Sequence, residues 1–96
     1  RPMTENALKL VRAVDSEVSF EELYQVMDEV EERLMAHQEN YTGPFHDETV
    51  AALERSLEAL DEMRTGEGHV TSGLEKFLSA SDDLLALLAR LEANDH

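Results

Sequence analysis

Apolar residues recur along this chain at steps of three and four, never in sustained strict alternation, and the recurrence breaks into four segments with turn chemistry between them. The first, Thr4 to about Val14, spaces Ala7, Leu8, Val11 and Val14 along a helical face behind Thr4, a residue suited to an N-cap. At that length it is marginal alone and must lean on its neighbours. The second opens on Ser19 with Glu22 three residues later, a capping box in which each side chain accepts a backbone N–H that the helix leaves unpaired. Val18 and Leu23 stand where a hydrophobic staple forms. A helix is therefore predicted from Phe20, its inner face running through Phe20, Leu23, Met27, Val30 and Leu34 and extended by His37 and Tyr41.

The stretch NYTGPFHDE, residues 40–48, ends that helix and starts the next. Gly43 is read as the residue free to take an unusual backbone angle, and Pro44 or Asp47 as the start of a helix. Val50, Leu53, Leu57, Leu60 and Met63 carry the third inner face until Gly66 and Gly68 stop it. Thr71 or Ser72 is the expected cap of the fourth segment, Ser72 forming a second capping box with Glu75. Leu74, Phe77, Ser81, Leu84, Leu88 and Leu91 form its inner face, and Leu78, Leu85 and Leu87 widen it. The serines of SASDD, residues 79–83, offer a place for this helix to kink.

The pattern predicts an all-α chain: a small antiparallel helical bundle of three long helices plus a short N-terminal helix. Residues 1–96 are read as a single helical domain, with residues 1–3 disordered or a tag remnant ahead of Met3. The leucines of the last helix span a wider arc than one neighbour covers, which predicts a homodimer through that helix.

Composition narrows the function classes. A net charge of −14 opposes contact with phosphate backbones or anionic lipid, so direct nucleic-acid and membrane binding are not expected. No cysteine is present, which removes disulfides, thiolate zinc sites and thiol catalysis. The longest apolar run, Leu84 to Ala89, is far short of the roughly 20 residues of a membrane span, and the chain is read as cytoplasmic. Salt-adapted organisms carry acid-rich, lysine-poor proteins, and the chain's only lysines are Lys9 and Lys76, so part of the acidity has this bland explanation.

Candidate chemistry is sparse. His37, His46, His69 and His96 invite a metal reading, but none has an acid three positions before it, as carboxylate-bridged metal bundles require. Glu92 and His96 form a spaced pair at a fraying end, and consecutive His46, Asp47 and Glu48 point in different directions on a helix. No nucleophile motif and no phosphate-cradling loop occurs, and so small a bundle is expected to have little room for a ligand pocket. No enzyme activity, metal or cofactor is expected.

The acids themselves are patterned. Glu21, Asp28, Glu32 and Glu39 fall on one stripe of the second helix, about 27 Å long at about 1.5 Å per residue. Tyr24 and Met35 lie between this stripe and the inner face, giving an apolar flank beside negative charge. Asp47, Glu54, Glu58 and Asp61 form a second acidic face on the third helix, where like charges four residues apart cost stability. A purely solvated exterior would mix signs more evenly. The expectation is a protein-binding module, an adaptor, inhibitor, immunity-type protein or chaperone, that docks a basic protein partner. The alternatives are a nucleic-acid mimic and a structural homo-oligomer whose acidity serves solubility alone.

Overall fold

The computed structural model describes residues 2–94, in which four α-helices and one 3-10 turn account for nearly all of the chain and no strand occurs. Helix α1 spans Glu5–Asp15, α2 Phe20–Asn40, α3 His46–Arg64 and α4 Val70–Asn94. The local signals explain the first two starts. The Thr4 hydroxyl accepts the Ala7 N–H at 3.1 Å, and the Ser19 hydroxyl accepts the Glu22 N–H at 3.2 Å, each satisfying a donor the helix cannot. Between them Glu17 adopts a left-handed φ of 51° in the short link from α1 to α2.

The α2–α3 loop differs from expectation. Gly43 does not carry the unusual backbone; Phe45 does, with φ 55° and ψ 38°, and it precedes α3 without a side-chain cap. Gly43 serves packing instead, since a Cβ there would stand 2.9 Å from the Tyr41 hydroxyl oxygen, and that hydroxyl donates to the Pro44 carbonyl at 2.6 Å. The Arg90 guanidinium, 4.2 Å above the Phe45 ring, holds Phe45 in place by a cation–π contact.

Two expectations for α4 are also corrected. Thr71 and Ser72 do not cap it, because the helix has begun at Val70, directly after the 3-10 turn Glu67–His69 that follows Gly66 at φ 157°. SASDD does not kink it. Ser81 is buried in an unbroken helix and shares a 2.8 Å hydrogen bond with the Thr4 hydroxyl, so its side chain is engaged by α1 and not by its own backbone.

The most extensive packing joins α3 to α4; α2 lies on α3, and α1 touches both α2 and α4. All four helices supply the core, with Leu10, Met27, Val30, Leu53, Leu60, Met63 and Phe77 almost wholly removed from solvent. Burying a side chain of this size contributes about 1.5–3 kcal/mol. Gly73 brings α3 and α4 together: a Cβ at that position would lie 2.4 Å from Met63 Cγ and 2.8 Å from the Met63 backbone nitrogen.

Ion pairs tie the helices at their edges. Arg55–Asp83 at 2.8 Å, Arg90–Glu48 at 2.9 Å and Lys76–Glu62 join α3 to α4; Lys9–Glu29 at 2.6 Å joins α1 to α2. The hydrogen bond from Lys9 and its charge hold the Glu29 carboxyl below the usual carboxylate range. Lys76, followed by Ser72, does the same for Glu62. Glu29, spaced to pair with Arg33 along its own helix, is instead gripped across helices by Lys9, while Arg33 reaches Glu5 only at 4.0 Å. No helix among the described residues is long and apolar enough to cross a membrane.

Candidate functional site

The two acidic rows meet. Arg64, near the end of α3, donates to Asp28 at 2.9 Å and to Glu31 on α2, and to Asp61 at 3.4 Å on its own helix. Toward the other end of the junction, Gln38 on α2 donates to Glu54 on α3 at 2.9 Å. The α2 stripe and the α3 face therefore flank one shared junction. Burial alone would lower the Arg64 pKa, but hydrogen bonds and charge from Glu31 and Asp28 outweigh it and raise it, so this cation is permanent.

Along that face the acids remain in excess. Glu21, Glu32 and Glu39 are exposed and have no ion pair among the described residues; Glu58 is likewise unpaired, at the outer edge of α3. Asp47 is exposed in the first turn of α3, 3.3 Å from the neighbouring His46 ring, where the helix dipole favours a carboxylate. Lys9, Arg55, Lys76 and Arg90 serve other junctions, Arg33 lies toward Glu5 at 4.0 Å and Arg12 is exposed on α1, leaving Arg64 as the cation that bridges α2 and α3 among the described residues.

The two apolar flank residues have different roles. Met35 is 45% exposed, beside the junction and available for contact. Tyr24 is half-buried: its ring meets Phe20 edge to face at 4.6 Å and its hydroxyl donates to the Arg64 carbonyl, so it closes the α2–α3 junction from within. Arg64 and Glu31 were missing from the sequence-based site. Their signal was a basic residue at the end of α3 and an acid three positions after Asp28.

A second feature runs against the expectation that so small a bundle has little room for a ligand pocket. An apolar groove of about 520 Å³ lies between the C-terminal parts of α2 and α4 over the N-terminal half of α3. It exists because α1 is 11 residues long and α4 is 25: α1 stops at the Thr4–Ser81 hydrogen bond, and the leucines of α4 beyond Ser81 have no fourth helix over them. Leu84, Leu85 and Leu91 are only partly buried and Leu88 is 50% exposed.

His37 and His46 flank the Tyr41 ring, His46 stacked on it at 6.2 Å, while His69 lies elsewhere. His37 is exposed at the groove with its ring 5.6 Å from that of Tyr41, His46 begins α3 and His69 lies in the 3-10 turn; His96, and with it the Glu92–His96 pair, lies outside the described residues, as does Arg1. No group of three or more histidine, aspartate or glutamate side chains is placed to hold a metal ion among the described residues. No protein-family model, curated protein or solved structure matches this chain.

Proposed function

We propose that this chain is a non-enzymatic protein-binding module whose α2–α3 face docks a basic protein. The observation that carries this reading is the convergence of both acidic rows on one junction that, among the described residues, holds a single cation, Arg64. Net acidity for solubility would need no such segregation, because the remaining cations would serve equally well if spread over this face. Met35 supplies an apolar contact beside the charge, the combination that gives a docking surface both steering and desolvated area.

The same reading includes an up-down antiparallel bundle. The order of the cross-helix pairs supports it: Glu5 meets Arg33 while Lys9 meets Glu29, and Glu48, Arg55 and Glu62 meet Arg90, Asp83 and Lys76. In both sets the partner's number falls as the residue's number rises, as it does between helices of opposite direction.

A nucleic-acid mimic is the second reading, favoured by the placement of the carboxylates in two rows on adjacent helices, about 8–10 Å apart at ordinary packing distance. Displacement separates the two. A partner captured by this chain and released by short duplex DNA at constant ionic strength is a nucleic-acid-binding protein held by a mimic. A basic partner that stays bound in excess DNA is held by a protein-specific surface, the outcome expected here.

A further inference from the structure

We propose that the groove beside α4 binds a long-chain carboxylate, a free fatty acid, with its hydrocarbon chain along the leucines of α4 and its anionic head at Arg33 and His37 on α2. The cover of α4 ends at Ser81, where Thr4 caps α1, and α4 runs on for about 20 Å at about 1.5 Å per residue. Over that length Leu84, Leu88 and Leu91 face a groove whose volume, about 520 Å³, falls in the range of sites that enclose small molecules.

Charge identifies the occupant. The chain has 22 acidic residues, yet none of those among the described residues lines the groove; its ionisable lining there is Arg33, His37 and Tyr41. Arg33 and His37 lie one turn apart on α2, on the same side of the helix. Neither is committed: Arg33 is half-exposed and reaches Glu5 only at 4.0 Å, with Glu5 89% exposed, and His37 touches the Tyr41 ring. Asn6 also lines the groove, and its buried Oδ1 accepts no hydrogen bond, so no protein partner fixes the amide against turning an N–H toward an anion. A second copy of the chain would cover the same leucines but would bring another charge of −14. A fatty acid covers them and supplies one anion where the groove has Arg33 and the ring N–H of His37.

The test is calorimetric titration of the whole chain with laurate, and with 1-dodecanol as the uncharged match, both below their aggregation limits, with sedimentation run in parallel. One laurate per chain is expected, bound about tenfold more tightly than the alcohol, the size of effect a charge-assisted hydrogen bond gives. Arg33→Gln with His37→Gln should reduce laurate affinity to that of the alcohol while leaving the alcohol unchanged. Leu88→Asp, at an exposed position where folding is retained, should abolish both. Equal affinity for acid and alcohol, or no binding by the folded wild type, overturns the proposal. So does a wild-type dimer that Leu88→Asp converts to a monomer, since the groove is then an interface. The site is separate from the α2–α3 face, so either reading can fail alone.

Discussion

At the scale of single residues, the turn and cap chemistry was legible and the tertiary contacts were not. Thr4 and Ser19 act on backbone groups a few positions away, so sequence spacing suffices to find them. Gly73 reads in sequence as a weak point near the start of a helix, and its purpose depends on Met63, which no local pattern places beside it. Gly73→Ala should therefore destabilise the chain by about 1–3 kcal/mol through overpacking, against the roughly 1 kcal/mol that alanine gains in helix propensity. Urea unfolding measures the balance. Tyr24 was read as a docking residue because its wheel position borders the acids, but its hydroxyl is spent on the Arg64 carbonyl. Tyr24→Phe should cost about 1 kcal/mol in the same assay, the net worth of one hydrogen bond. Met35→Ala, at an exposed position, should change stability by no more than about 0.5 kcal/mol, which makes Met35 the cleaner probe of binding.

At the scale of elements, helix existence and most of the inner faces of α2 and α3 followed from periodicity, while the joins and the outer half of α4 did not: His37 and Leu88, read as inner-face residues, are exposed, and Leu87 is buried in place of Leu88. The start of α4 was misplaced because a 3-10 turn continues into the helix ahead of the serines that looked like caps. The expected kink at SASDD failed for a tertiary reason, since Ser81 bonds Thr4, a residue far away in sequence. Between elements, the Lys9–Glu29 and Lys76–Glu62 pairs give a signed pH dependence. Both carboxyls titrate below their ordinary value in the folded chain, so their contribution is fully present above the unfolded carboxylate range, about pH 4.3, and is lost as pH falls through the lowered values. The unfolding midpoint should thus owe nothing to these pairs' titration between about pH 7 and pH 5 and should fall at lower pH. Glu29→Gln with Glu62→Gln should flatten that acid limb, by a modest amount because Glu29 is exposed and Glu62 only partly buried. An acid limb as steep as that of the wild type would contradict the assignment.

At the scale of the whole molecule, the acidic stripe on α2 and the acidic face on α3 were each readable from helical spacing. Their meeting at one junction was not, because spacing fixes angles around each helix and says nothing about which helices adjoin. The groove was missed for a related reason: the broad leucine arc of α4 was seen, but the length mismatch between α1 and α4 that uncovers its end is a property of packing. Charge is consequently distributed by role. Most cations clamp other helix junctions, Arg55 and Lys76 on the α3–α4 side that Glu58 borders, and the unpaired Glu21, Glu32 and Glu39 project beside the junction that Arg64 closes.

The most direct measurement is a quantitative capture comparison from native host extract at low salt, using three forms of the chain on matched beads. The wild type should retain a basic protein, and retention should fall as salt is raised, since exposed charges are screened beyond about 10 Å at 0.1 M. Glu21→Gln, Glu32→Gln and Glu39→Gln together should fold normally and lose that protein. A control with the same change in net charge on other exposed positions, Glu67→Gln, Glu75→Gln and Glu92→Gln, should keep it. Equal loss by both triple variants would reduce the acidity to a bulk property, and full retention by the first would remove the α2–α3 face from the account.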